Sequence, residues 1–508
     1  MITLLAQSAA DLTPIETPDV EYSAMLPELI LIGGALLLLV VVSVVRRRPP
    51  WLWTAITLAT GAASMAASLV LWFDVRDDGP RRVVADALVV DGFAVFFMVL
   101  VSVTVILGAL LATAYLDREG FSGPEFYVLL LLSASGAVVM ASANDLIVLF
   151  LGLEILSIAL YVLAGFHPRR MESKEAAMKY FVLGAFSSAL FLYGIALVYG
   201  ATGSTNLGAI RQFLAANVAP NSGVLLGGVA LILVGLGFKV AVVPFHTWTP
   251  DVYQGSPSPA TGFMAAAAKA AGFAGLLRVF FSTFSTLRLD WRPAVLAIAV
   301  VTLLVGSVLA VVQTDIKRML AYSSISHAGY VMIGLQAASK EGIAGSLFYL
   351  LAYTFMVLGS FAVVTVVGRK GDANHDLSAY KGLAARRPAL ALAFTVLLLS
   401  QAGVPFTTGF LAKFYVISAA VQSRSYALAL IGMLSAVIAA FFYLRITVLM
   451  YTPPPGDGVT AAGGEGVRRL PVPAATGVVV AVAAAFTVAF GLVPSPMIHF
   501  ARQATLLL

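Results

Sequence analysis

The sequence contains no cysteine in its 508 residues. Disulfides are therefore excluded, and so are zinc, iron–sulfur and haem sites that need a thiolate ligand. Histidine is scarce, with five in all and no HxxxH pair, so nothing in the pattern points to a metal centre. Charged residues make up only 11% of the chain, too few to cover the surface of a soluble domain. What fills the sequence is apolar: 60% of residues are hydrophobic. The class this implies is an all-α polytopic membrane protein in contact with a lipid bilayer. The net charge of +6 needs no nucleic-acid partner, because loop arginines set membrane topology. The first stretch, MITLLAQSAADLTPIETPDVEYS, has no basic n-region and several acids. It reads as a polar tail before the first span, not as a cleaved signal.

Apolar runs near 20 residues predict fourteen spans, at 25–45, 51–73, 88–114, 124–142, 145–166, 174–200, 222–248, 257–280, 293–312, 319–338, 342–368, 388–420, 426–450 and 473–498. Loops after odd-numbered spans collect basic clusters such as Arg46, Arg47, Arg48, Arg169, Arg170, Lys317, Arg318, Arg369, Lys370, Arg386 and Arg387. The opposite side holds scattered residues, among them Arg76, Arg81, Arg82, Arg211 and Arg278. The bias puts the odd-numbered loops in the cytoplasm and both termini outside. The longest polar stretch, TPPPGDGVTAAGGEGVRRLPVP, then reads as a cytoplasmic linker before the last helix.

Five basic residues fall inside spans: Lys179, Lys239, Lys269, Lys413 and Arg445. Arg445 lies close enough to a span end to snorkel and reads as structural. Glu154, in LFLGLEILS, is the carboxylate placed mid-span. A charge at the bilayer centre costs roughly 2.5–3.5 kcal/mol on insertion scales. Four such groups therefore cost about 10 kcal/mol, comparable to the whole stability of a typical domain. The chain has 22 arginines and 9 lysines, yet the deep positions are read as lysine alone. A guanidinium does not release its proton near neutral pH, whereas a buried ammonium does. The pattern points to a chain of proton sites.

In GLGFKVAVVPFHTWTPD, Pro244 has no N–H, and its ring clashes with the carbonyl of Val240. A break beside Lys239 is expected, tolerated only where it lines protein or water. His246, seven residues after Lys239, would share its face on a regular helix and titrates near neutrality. The same device recurs in LLLSQAGVPFTTGFLAKFYVIS, with Pro405 between Gly403 and Gly409, then Lys413. The two broken spans, seven and twelve, are five apart and so cross in opposite directions. That suggests two inverted five-helix repeats, spans 4–8 at 124–281 and spans 9–13 at 292–450. Spans 1–3 at 1–123 precede them, and the linker with the final span at 451–508 follows. Lys269 lies in FMAAAAKAAGFAG, where small residues permit close helix packing. Span ten carries Ser323, Ser326, His327 and Tyr330 at i, i+3, i+4 and i+7, one polar stripe on an apolar helix. The stripe reads either as interhelical hydrogen bonding or as a hydrated path, with His327 bridging Lys269 and Lys413. Ser346, Tyr349 and Tyr353 on span eleven form a weaker stripe.

Three stretches, PFHTWTPDVYQGSPSPATGFMAAAAKAAGFAG, DIKRMLAYSSISHAGYVMIGL and QAGVPFTTGFLAKFY, resemble the antiporter-like subunits of respiratory complex I and of multisubunit cation/proton antiporters. Within that family the N-type branch is the most similar. L-type members carry a long lateral C-terminal helix, and M-type members usually have Glu where Lys413 stands. The resemblance implies proton translocation driven by quinone reduction elsewhere in the complex. It implies that Glu154 and Lys239 form the charge pair and central lysine of one half-channel. Lys269 is then the connecting lysine, Lys413 the lysine of the second half-channel, and Lys179 an additional lysine near Glu154. It further implies no cofactor on this chain, with FMN, iron–sulfur clusters and quinone held by other subunits. The implied partners are an M-type neighbour and the small K-, J-, A- and H-type subunits in a bacterial cell membrane. A subunit of a cation/proton antiporter is the alternative, and a solute carrier a more distant one.

Overall fold

An apolar run in lipid satisfies its backbone at lowest cost as a helix, because every N–H and C=O pairs within the segment. The chain takes that solution nearly throughout. The structure, a computed structural model, describes residues 20–45, 49, 51–121, 123–217, 222–453, 470–504 and 506. The N-terminal tail to residue 19, the Arg46, Arg47 and Arg48 triplet and most of the linker, with Arg468 and Arg469, lie outside the described residues.

Among the described residues, twelve helices are long and apolar enough to cross a membrane. They include Gly92–Glu119, Glu125–Ser142, Leu146–Ala164, Met171–Thr202, Ser258–Thr283, Lys340–Val367 and Ala474–Leu492. The two other expected spans coincide with helices of a different kind. Ile316–Ala337 carries the polar stripe, and the twelfth expected span is split into Pro388–Ala402 and Thr408–Gln422. Short polar side chains start many of these helices. Asp145 accepts from the amides of Ile147 and Val148, Asp315 from those of Lys317 and Arg318, and Ser339 from that of Gly342. A small antiparallel hairpin pairs Arg81–Val83 with Leu88–Val90, the latter taking the place of the start of the third expected span, whose helix begins at Gly92. A short helix, Leu207–Ala216, occupies a loop for which no element was expected.

Burial separates the centre of the molecule from its rim. The apolar stretches of Ser258–Thr283 and Lys340–Val367 are wholly enclosed by other helices, whereas only about a third of that of Met171–Thr202 is. The centre is therefore screened from lipid by protein, and polar side chains placed there meet other polar side chains.

Both expected breaks are present. The helix Ser222–Val240 stops, Ala241 adopts a left-handed φ of 62°, and a helix resumes at Thr249–Gly255. The last helical residue, Val240, is four residues before Pro244, and the Val243–Pro244 bond is cis. In the second break, Gly403 takes a φ of 94° and Phe406 a φ of 66°. Gly409 then packs so tightly that an added Cβ would lie 1.9 Å from the carbonyl oxygen of Ser400.

Helix approach elsewhere also depends on glycine. A Cβ on Gly136 would meet the backbone nitrogen of Leu156 at 2.4 Å and the carbonyl oxygen of Gly152 at 2.7 Å. Gly136→Val must push two helices apart. We expect it to lower the stability of the assembled protein by about 1–3 kcal/mol, read as a fall in thermal midpoint. Gly33→Ala, where nothing lies within 4 Å, should leave the midpoint unchanged, and equal effects of the two would contradict the packing account.

Candidate functional site

Three of the lysines read as lying within spans are buried: Lys239 at 4% exposure, Lys269 at 3% and Lys413 at 5%. An ammonium out of water needs acceptors for its three protons. Each of these finds neutral oxygen. Lys239 donates to Ser157 Oγ at 2.8 Å and to Tyr180 Oη at 3.2 Å. Lys269 donates to the carbonyl of Ser324. Lys413 donates to the carbonyls of Gln401 and Ala402, both at 2.8 Å. Each also faces a tyrosine ring. Lys239 lies 5.4 Å from the Tyr180 centroid, Lys269 5.8 Å from Tyr353 and Lys413 5.0 Å from Tyr330. Among the described residues, no carboxylate lies within 4 Å of any of the three.

The two breaks serve their lysines differently. At the second, the carbonyls freed by the interruption are the acceptors of Lys413. At the first, the freed groups are met by others: Trp248 Nε1 donates to Phe238 O at 3.1 Å, and the amide of Val243 donates to Thr302 Oγ1 at 3.0 Å. Lys239 points instead to neighbouring helices. Because its helix ends one residue later, His246 does not share its face. His246 lies in the break, half-buried, with Nδ1 buried and without a partner.

Glu154 sits one turn before Ser157 on Leu146–Ala164, and its Oε1 is buried without a hydrogen-bond partner. Ser157, which accepts from Lys239, lies one turn further along the same helix. A π-helical turn, Met264–Ala268, immediately precedes Lys269, a local loosening of the helix often found at functional positions.

His327 is 3% exposed. It does not touch either lysine. Nδ1 pairs with Tyr349 Oη at 2.6 Å, and Nε2 pairs with Tyr443 Oη at 3.1 Å. Tyr443 bonds closely to Ser323, which lies 3.5 Å from Gln401 Oε1, and the Gln401 carbonyl holds Lys413. This chain of bonds runs from His327 toward Lys413 and does not reach Lys269, which donates to the Ser324 carbonyl; the expected bridge is found on one side only. The polar stripe divides: Ser323 and His327 enter this chain, whereas Ser326 bonds Ser307 on the preceding helix at 2.9 Å, and Tyr330 donates to Gly432 O at 2.8 Å.

Lys179 stands apart from Glu154. It pairs with Glu175 and Asp251, both at 2.6 Å, and its side chain is 41% exposed. Arg445 is exposed and reaches the carbonyls of Val311 and Gln313, in keeping with a structural role. Two residues counted as loop charges prove to be buried. Arg278 lies inside Ser258–Thr283 at 3% exposure, with Asp91 in a two-pronged ion pair at 2.9 Å and the Ala141 carbonyl beside it. Lys317 is fully buried and 3.8 Å from Asp372. Arg278 falls near the end of the expected span 257–280, and Lys317 just before the expected start at 319, whereas its helix begins at Ile316. No group of three or more His, Asp or Glu able to hold a metal occurs among the described residues.

The pattern of the family described as NADH:quinone oxidoreductase/Mrp antiporter matches residues 143–439. NADH-quinone oxidoreductase subunit N of Trichlorobacter lovleyi is 44% identical over 424 residues, covering 84% of this chain and 85% of that one. The chain belongs to the subunit N family of NADH-quinone oxidoreductases. A chain of respiratory complex I from Thermus thermophilus is similar to it at a TM-score of 0.76 and 33% identity, over 93% of this chain and 98% of that chain. A chain of the Mrp complex from Dietzia shares the fold, with a TM-score of 0.84 at 21% identity over 96% and 97% of the two chains. The matched region of this chain contains every buried lysine named above.

Beside the helix ends, the loop after Lys340–Val367 carries Asp372, which is buried among Lys317, Arg118 and Arg170 and accepts from the Ser258 amide at 3.1 Å. Next to it His375 is 7% exposed, with neither ring nitrogen partnered. Burial, then the Lys317 charge, push its pKa down from 6.5 to about 3. The folded protein keeps this imidazole neutral while the unfolded chain protonates below about 6.5. Its contribution is complete above that pH and is lost as pH falls. The depressed carboxyl of Asp372 acts only at lower pH, below the ordinary carboxylate range. Lowering the pH from 7.5 to 5.5 should cost about 1 kcal/mol through His375, and His375→Gln should flatten that part of the stability profile. An unchanged slope of unfolding midpoint against pH would contradict this.

Proposed function

We propose that this chain carries protons through the membrane arm of a bacterial NADH–quinone oxidoreductase, with Lys239, Lys269 and Lys413 as carriers. NADH oxidation and quinone reduction occur in other subunits, which hold the FMN, the iron–sulfur clusters and the quinone. The observation that carries the reading is the shared setting of the three lysines. Each is enclosed, hydrogen-bonded to neutral oxygen and faced by a tyrosine ring. An ammonium in such a place has no carboxylate in direct contact to lock its proton in. Moving one elementary charge across 100 mV costs about 2.3 kcal/mol, so a proton needs intermediate stops, and three lysines along the membrane plane supply them.

Glu154 acts on Lys239 through position. A carboxylate brought toward the ammonium holds its proton, and one moved away lets it go. His327, with Tyr349, Tyr443, Ser323 and Gln401, is the candidate link between Lys269 and Lys413, hydrogen-bonded through to Lys413. Pro244 and Pro405 mark the two breaks, where polar groups released from the helix line the route. His246 is a candidate for hydration of the first break. Lys179, paired at the surface with Asp251 and Glu175, is an electrostatic neighbour of the route and not a stop on it.

In this reading residues 124–281 and 292–450 are two inverted repeats, flanked by 1–123 and 451–508. Both termini face outward from the cell membrane. The neighbours are an M-type antiporter-like subunit and small subunits of the K, J, A and H types. Membership of a cation/proton antiporter has in its support the fold and a family pattern whose description covers both complexes.

Replacing the imidazole tests the connection. His327→Ala, in an assembled complex, should lower NADH-driven proton translocation in membrane vesicles several-fold. Full activity in that variant would leave the His327 chain as packing and remove it from the route.

A further inference from the structure

A cavity of about 590 Å³ opens where three span ends meet, the C-termini of Gly92–Glu119 and Lys340–Val367 and the N-terminus of Ala474–Leu492. Basic side chains line it, Arg369, Lys370 and Arg386 beside Arg118, and no carboxylate is among its lining residues. Arg118 is partly neutralised, at 3.1 Å from Glu119 and 3.7 Å from Asp372. Arg386 donates only to the carbonyls of Ala379 and Lys381. Arg369 and Lys370 are exposed and have no ion-pair partner among the described residues. The site is thus short of negative charge.

Two further groups point the same way. Tyr115 is fully buried and Thr476 is 1% exposed, and both border this cavity with hydroxyl oxygens that have no hydrogen-bond partner. A buried hydroxyl left unpaired costs free energy that a ligand oxygen would recover. Thr476 belongs to the first turn of a 19-residue helix, where backbone amides and the helix dipole favour an anion. The remaining walls are apolar, formed by Ala114, Val366, Leu470 and two prolines.

Positive charge, two idle hydroxyls and an apolar wall at the level of the span ends fit one chemistry. We propose that this cavity binds the phosphodiester headgroup of an anionic phospholipid, with its acyl chains lying along the apolar wall. The lipid staples the last helix, Ala474–Leu492, to the helices around the centre. A soluble phosphate would find the same charges but would gain nothing from that wall.

The test uses the intact complex in lipid nanodiscs. In phosphatidylglycerol discs, a high-resolution map should show headgroup density between Arg369, Lys370 and Thr476. The Arg369→Ala/Lys370→Ala double variant, altered only at exposed side chains, should lose that density. Its half-saturating phosphatidylglycerol concentration should rise by at least about ten-fold, given roughly five-fold per basic side chain near a membrane surface. Tyr115→Phe should be no less stable than the parent without lipid, yet should bind the lipid more weakly. An empty cavity in phosphatidylglycerol discs overturns the proposal. So does equal density in phosphatidylcholine discs supplied with inorganic phosphate, which would make the ligand a free anion. Undiminished lipid binding in both variants overturns it as well.

Discussion

An ammonium group withdrawn from water must be met by oxygen, and what kind of oxygen meets it sorts the charges of this protein into two sets. Arg278 is met by the Asp91 carboxylate, Lys317 lies near Asp372, and Lys179 is held by Asp251 and Glu175. In such pairs a fixed counter-charge anchors the cation, and removing one partner strands the other at a cost of about 3–5 kcal/mol when the pair is buried. Lys239, Lys269 and Lys413 are met by hydroxyls and carbonyls. These neutral acceptors satisfy the ammonium's donors with no carboxylate in direct contact.

The helix breaks make that second set possible. A continuous helix keeps its carbonyls for itself. Interrupting one at residues 403–407 leaves the carbonyls of Gln401 and Ala402 to hold Lys413, and Gly409 lets the resumed helix press against Ser400. The first break works by displacement. It turns Trp248 back to cap Phe238 and to stack on Tyr180 at 4.5 Å, and Tyr180 in turn holds Lys239. Loosening of the third kind, a π-helical turn, precedes Lys269. Each of these lysines stands beside a departure from regular helix, although the second break itself reaches the surface, with Val404 and Phe406 exposed at 38% and 74%.

The lysines and the two breaks were legible in the sequence because a charge or a proline in an apolar run is conspicuous by itself. Their partners were not. Ser157 lies 82 residues from Lys239 and Tyr180 lies 59 away, and a serine or tyrosine within a span is ordinary. Gln401 gave a fainter sign, an amide in an otherwise apolar stretch. The sequence also misplaced Arg278 and Lys317 among loop charges, because periodicity near a span end carries no information about what packs over it. His246 was tied to Lys239 through helical spacing, which the break removes. The aromatic partners follow one rule in retrospect: Tyr180, Tyr353 and Tyr330 each offer a ring face to a lysine.

The division into locked and releasable charges is tested most directly by fixing the charge at each lysine in turn. Proton translocation per NADH oxidised would be measured in vesicles for assembled complexes carrying Lys239→Arg, Lys269→Arg, Lys413→Arg or Lys179→Arg. A guanidinium keeps the positive charge but does not give up its proton. The account predicts that the three interior variants lose much of the translocation ratio while Lys179→Arg retains it. Wild-type ratios in the interior variants, or an equal loss at Lys179, would contradict it.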